Sequence, residues 1–292
     1  MSESVRDFVR DGYGATADAA GSLDAAGAAR VAAAFGYGAD ELAALPDGAN
    51  LGLSCGNPTA TASLKPGETV VDFGSGGGLD VFLASKKVGP TGRAIGIDMT
   101  PSMIDLARRN AATGGYTNVA FHLAEIEETP LDDASVDCVI SNCVINLSPE
   151  KPRVFAELFR ILKPGGRVAI SDIALKKALP ADLAESLDAY VGCFAGAISV
   201  EAYKDGLTAA GFSDIAVIDD GSDLNAYGEI DGQAGCCAPV AQTEEPTASS
   251  CCGPAPVAPK KDVHGSLRET LKAYDVNEYA ASVKIYAIKP AS

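Results

Sequence analysis

The apolar run Val70-Val71-Asp72-Phe73 stops at Gly74-Ser75-Gly76-Gly77-Gly78 and resumes as a helical pattern from about Leu79 to Lys87. A buried strand that turns through glycines straight into a helix is the opening of a strand–helix–strand unit, and such a unit commits the chain to a parallel sheet. The pattern repeats. Strand signals at Ala94 to Ile97, Val119 to Leu123 and Val136 to Ser141 alternate with helical periodicity at Ser102 to Ala112 and Lys151 to Leu162. Lys163-Pro164-Gly165-Gly166 then reads as a helix stop, with a strand expected at Arg167 to Ile170. The prediction is an α/β fold with a mostly parallel sheet covered by helices on both faces.

The flanks differ in texture. Residues 1–50 read as a helical cap, with an alanine-rich helix at Asp24 to Phe35 and a short one near Asp40 to Leu45. Residues 51–218 carry the sheet. Residues 219–262, rich in Gly, Ala, Pro, Ser and acidic side chains, read as a flexible insertion. Residues 263–292 predict a helix at Ser266 to Tyr274 and a closing strand at Val283 to Ile288. A formal charge of −16 repels phosphate, so nucleic acid is not an expected partner. With neither a signal-type segment nor a long apolar stretch read in the sequence, the expectation is no membrane partner and a cytoplasmic location. The eight cysteines are accordingly expected as reduced thiols.

Glycines let a ligand rest against the main chain, and Gly74, Ser75, Gly76 and Gly78 form the predicted cofactor loop. Asp98 closes the next strand roughly 20 residues later, where an acidic side chain grips ribose hydroxyls. A nicotinamide enzyme would share these features. Asp72 directly before the glycines, and Leu162-Lys163-Pro164-Gly165-Gly166 before a strand, resemble the motifs of class I S-adenosylmethionine methyltransferases, a Rossmann-like fold. The resemblance implies that Asp72 fixes the methionine end and Asp98, beside Met99, holds the ribose. It further implies that Glu125 and Ile126 contact adenine. Asn142, just past the strand that ends at Ser141, is a candidate to hydrogen-bond the cofactor or else to form a turn.

Three further segments resemble a narrower family, the arsenite methyltransferases: Ser54-Cys55-Gly56-Asn57-Pro58, Ile140-Ser141-Asn142-Cys143-Val144-Ile145-Asn146-Leu147-Ser148, and Tyr190-Val191-Gly192-Cys193-Phe194-Ala195-Gly196-Ala197. That resemblance implies that Cys143 and Cys193 bind As(III); Cys55, in the loop before Pro58 that leads into the cofactor strand, is the candidate third ligand. The resemblance implies arsenite or its thiol conjugates as substrate, and glutathione or thioredoxin as reductant. Soft, three-coordinate arsenic exchanges hydroxyl for thiolate ligands. Its exposed lone pair can attack a sulfonium methyl group without any general base. Many relatives, especially eukaryotic ones, carry a further cysteine after the glycine loop where this chain has Val81, so a redox relay through that position is absent and either Cys55 or exogenous thiols take its place. Cys236-Cys237 and Cys251-Cys252 lie in the polar insertion, where little is available to pack them; arsenic capture and delivery is the favoured use, with a redox-active or incidental role as the alternative. Cys138 and His122 are expected to pack within strands. Two other readings stand beside this one: a C- or O-methyltransferase of a small organic acceptor such as a quinone precursor, and an arsenic-binding or delivery protein.

Overall fold

The computed structural model describes residues 2–23, 25–54, 56–184, 194–224 and 274–291. Its centre is one sheet in the order β3-β2-β1-β4-β5-β8-β7. Strands β1 (Thr69–Phe73), β2 (Arg93–Asp98), β3 (Val119–Leu123), β4 (Val136–Asn142) and β5 (Leu162–Leu175) run parallel, while β8 (Ala280–Ile288) lies antiparallel between β5 and β7 (Ser213–Asp219). The two-residue β6 (Ile198–Ser199) pairs with the end of β5. The expected α/β architecture is therefore present, with an antiparallel strand closing one side.

Strict alternation divides the core. Val71, Phe73, Ile95, Ile97, Val139, Val168 and Ile170 point to one face, where they meet Val154, Phe155, Leu158 and Ile161 of α7 (Lys151–Ile161) and Tyr203 and Leu207 of the helix Val200–Ala209. Val70, Ala94, Cys138, Ile140 and Ala169 point to the other, against α5 (Leu79–Val88) and α6 (Pro101–Thr113). Successive strand side chains project to opposite faces, so a strand clad on both sides must be apolar at nearly every position. Each fully buried Val, Ile, Leu or Phe contributes about 1.5–3 kcal/mol relative to exposure.

One strand departs from the sequence reading. Lys163-Pro164-Gly165-Gly166 was expected as a turn, yet β5 begins at Leu162. The reason is tertiary. The Gly165 amide donates to Lys289 O at 2.9 Å and Gly166 O accepts from the Lys289 amide at 2.8 Å, so the β8 end extends the ladder over the glycines. A register shift between Val136 and Cys138 absorbs the irregularity. The predicted helix at Ser266 to Tyr274 lies almost wholly outside the described residues.

On the N-terminal side, α1 (Ser2–Asp18) lies against α6, with Val9 almost fully buried. It is followed by α2 (Ala25–Ala34), α3 (Ala39–Ala43) and α4 (Pro58–Thr61). Pro at the start of α4, and Asn57 accepting the Ala60 amide at 2.9 Å, show why that short turn forms where it does.

Candidate functional site

Strand order changes direction between β1 and β4, and ligands of such sheets bind in the crevice at that switch point. Here the loop after β1 is the glycine run and the loop after β4 begins with Cys143. The two loops touch. A side chain at Gly74, whose φ is +79°, would land 2.7 Å from both Cβ and Cγ1 of Val144. Only glycine lets the glycine loop and the cysteine loop close on each other.

The cleft between them is lined by Asp72, Gly74, Ser75, Gly76, Gly77, Asp98, Met99, Ile126, Asn142 and Cys143, together with Arg6, Val9 and Tyr13 of α1. Most of the residues expected to hold a cofactor are thus brought together. Gly78 is not on the wall; it starts α5, and a Cβ there would meet Phe82. Glu125 also stands off the wall, 3.7 Å from Arg6, and Glu127 lines the cleft instead.

Asp98 is already positioned by main-chain donors: its carboxylate accepts from the Gly76 amide at 3.0 Å and the Thr100 amide at 2.8 Å. Burial still pushes its pKa up, and those amides oppose the shift. Asp72 is more isolated. Its Oδ1 and the Ser75 hydroxyl are buried with no hydrogen-bond partner, and desolvation, followed by repulsion from Asp80 and Asp98, holds Asp72 well above the usual carboxylate range. Unpartnered buried polar atoms on a cleft wall are costly unless a ligand satisfies them.

The sequence reading missed Asp80 and its partners. The Tyr37 hydroxyl lies 2.9 Å from both Asp80 carboxylate oxygens and donates to them. The Asn142 amide donates to Tyr37 Oη at 3.0 Å, to Gly56 O at 2.7 Å and to Asp80 at 3.4 Å. Burial raises Asp80 to about 7, against the lowering effect of its Tyr37 and Asn142 bonds. Tyr37 is likewise raised, by burial first and by the Asp80 charge second. Asp80 could be seen in the sequence only as a polar residue opening a helix, and nothing local linked it to Tyr37.

Arg6 was also illegible. It donates to Glu127 at 2.9 Å and to Glu150 at 2.7 Å, joining α1 to the loops beyond β3 and β4. Glu127 in turn accepts from the Ser148 hydroxyl at 2.6 Å.

Cys143 is 3 % exposed, with left-handed backbone (φ +57°) and its amide donating to Ser171 O at 2.8 Å. It sits in an apolar cluster with Val9, Leu147, Ile173, Phe194 and Ala197. Its sulfur is disulfide-bonded, whereas reduced thiols were expected from the sequence. A sulfur close enough to another to share one small three-coordinate ion is also close enough to oxidise with it. Cys55, Cys193, Cys236, Cys237, Cys251 and Cys252 lie outside the described residues. Cys138 faces away from the cleft, fully buried among the α5 and α6 contacts, its thiol pushed up to about 12 by burial. His122 is half-buried on β3. Among the described residues no helix is long and apolar enough to cross a membrane, and no cluster of three metal-ligating side chains occurs.

A family model described as a methyltransferase domain matches residues 64–211. An arsenite methyltransferase of Halobacterium salinarum is 52% identical over 183 residues, 63% of this chain and 47% of its own length. One from Aquipseudomonas alcaligenes is 35% identical over 165 residues, 54% of this chain and 48% of its own. The chain therefore spans about half the length of the curated relatives it matches. Among solved structures, an arsenic (III) S-adenosylmethionine methyltransferase from Chlamydomonas reinhardtii superposes with a TM-score of 0.57 at 27% identity, covering 88% of this chain and 72% of that one.

Proposed function

The chain belongs to the methyltransferase-domain family, and from that premise we propose that it methylates trivalent arsenic bound by cysteine thiolates, using S-adenosylmethionine. The observation that carries the reading is the placement of Cys143 across the switch point from the glycine loop, in one cleft with Asp72 and Asp98. The cofactor fits that cleft on chemical grounds. Asp72 Oδ1 and Ser75 Oγ lack partners, and the glycine loop leaves its backbone uncovered on the cleft side. When bound, S-adenosylmethionine supplies an electrophilic methyl group on a sulfonium.

Asp72, Ser75 and the glycine loop would hold its methionine portion, Asp98 the ribose, and Met99 and Ile126 the base. Cys143 would hold the acceptor, with Cys193 and Cys55 as further thiolates. Softness favours this choice of ligand, and pyramidal three-coordination leaves arsenic a lone pair for attack. The apolar cluster around Cys143 and the overlying α1 exclude water, and fixed orientation supplies most of the rate. No side chain has to remove a proton from the acceptor. Methylation formally oxidises arsenic, and Cys143 is itself in a disulfide, so a thiol reductant such as glutathione or thioredoxin is required at both points. That requirement suits a reducing cytoplasm. We assign Cys236, Cys237, Cys251 and Cys252 to arsenic capture in the 219–262 insertion, between a 51–218 catalytic domain and the 263–292 closing segment, with residues 1–50 as the cap.

The test is methyl transfer from labelled S-adenosylmethionine to arsenite with excess thiol, for the wild type, Cys143→Ser and Cys193→Ser. The expected result is loss of transfer in both variants with cofactor binding retained. No methylated arsenic from the wild type, despite cofactor binding, would move the assignment to an organic acceptor.

A further inference from the structure

Four carboxylates line the described cleft, those of Asp72, Asp80, Asp98 and Glu127, and among the described residues on its wall Arg6 is the one cation. Arg6 is already committed to Glu127 and Glu150. Asp98 is served by two main-chain amides. Asp72 and Asp80 therefore share the inner cleft with no positive charge beside them on the wall. Two neighbouring buried carboxyl groups cannot both ionise cheaply without a cation, so the pair retains a proton until one arrives.

Position separates the roles of the two. Asp72 lies at the end of β1 beside the glycines. Asp80 lies on the acceptor side, because the Asn142 amide that donates to it belongs to the residue immediately before Cys143. Methyl transfer requires the donor sulfur, the methyl carbon and the acceptor in line, so the positive sulfur must face the Cys143 side of the cleft. The carboxylate bonded into that side is Asp80.

Resting on the methyl-transfer reading above, we infer that Asp80 is the residue by which this cleft distinguishes the charged methyl donor from its spent thioether. Its carboxyl group gives up a proton as the sulfonium enters and takes one back once the sulfur has lost its charge. The balance is simple: one proton leaves to solvent on donor binding, the methyl group passes to the acceptor together with the sulfonium's positive charge, and one proton returns from solvent once that charge has left the cleft with the acceptor, before the thioether dissociates. The thioether, still zwitterionic at its amino-acid end but neutral at sulfur, no longer supports an ionised Asp80, and its release is favoured. The groups facing Asp80 are Tyr37 after α2, Glu41 of α3, Asp72 of β1, Asn142 of β4 and Lys87 on its own helix. Lys87 is engaged elsewhere, donating to Thr59 O at 2.9 Å and lying 3.6 Å from Glu41. The Asp80 value of about 7 places the proton exchange within the accessible pH range.

Calorimetric titration of the wild-type protein with S-adenosylmethionine and with S-adenosylhomocysteine, at about pH 6 and about pH 8, tests this directly. The affinity for the donor should rise about tenfold across that interval, as linkage to one ionising group requires, and the affinity for the thioether by less than about twofold. Repeating the donor titration at the lower pH in buffers of small and large ionisation enthalpy should count close to one released proton, and the thioether none. Asp80→Asn should bind both ligands with flat pH profiles and lose the donor's roughly tenfold rise in affinity between about pH 6 and about pH 8. Parallel profiles for the two ligands in the wild type would overturn the inference whether or not the variant folds, and so would an Asp80→Asn variant that keeps the wild-type slope. Failure of the wild type to bind either ligand would overturn the cofactor reading itself, an outcome distinct from parallel titration.

Discussion

Replacing Gly74 by alanine probes the closure of the two site loops. Two costs add. An L-residue at φ +79° occupies the left-handed region at roughly 1–2 kcal/mol. The new methyl group would also stand 2.7 Å from Val144 Cβ and Cγ1, and closer still to Cγ2, so Val144 must move, an overpacking cost of roughly 1–3 kcal/mol. The expected destabilisation is about 2–5 kcal/mol, a large share of the net stability of a typical domain. Gly165 supplies the control, because its φ of +78° is the same but nothing lies within 4 Å of its added methyl. Gly165→Ala should cost only the backbone portion, about 1–2 kcal/mol. Urea unfolding followed by tyrosine fluorescence suits a chain with nine tyrosines and no tryptophan. Equal losses in the two variants would refute the contact between the glycine loop and Val144. Cys143 would then not be held against the glycine loop through its neighbour Val144.

Other perturbations report on separate features. Asp172 is buried, accepts from Tyr203 at 2.8 Å and from Asn146 at 2.8 Å, and is raised by burial to about 6. Below about pH 4 both folded and unfolded chains hold its proton; between about pH 4 and 6 only the folded chain does, so its contribution is full at the acid end and lost as pH rises, on the order of 3 kcal/mol. Denaturation at a series of pH values should show that slope, and Asp172→Asn should remove it. Arg6→Gln should release α1, seen as faster amide exchange across Val9 to Thr16 and severalfold faster cofactor dissociation in stopped flow; unchanged exchange would show that Arg6 does not latch the helix. Cys138→Ala should cost about 1 kcal/mol in stability and leave the proposed arsenite methylation intact, since the thiol packs against α5 and α6; loss of arsenic binding in that variant would contradict its placement.

How much was legible follows from how far apart the interacting residues lie in the chain. Strand and helix positions around the glycine loop came from periods of two and 3.6 residues, which any short window contains. Cys143 at the end of β4 and Asp98 at the end of β2 followed from counting along the same strands. Tyr37 to Asp80, Arg6 to Glu127 and Asn142 to Gly56 are pairs separated by 43, 121 and 86 residues, and no local pattern announces them. The helix does stop before Lys163-Pro164-Gly165-Gly166, but the early start of β5 over those residues was illegible for the same reason, because the chain that pairs with it lies more than a hundred positions later.

Residue order alone therefore determined the layered α/β fold, the glycine loop after β1 and the presence of a cysteine at the switch point, since each rests on local stereochemistry and alternating burial. Tertiary structure alone decided the electrostatics of the cleft. Whether a carboxyl group ionises depends on which distant side chains fold around it and whether any brings a positive charge, and for Asp72 and Asp80 the fold brings none to the wall of the cleft among the described residues.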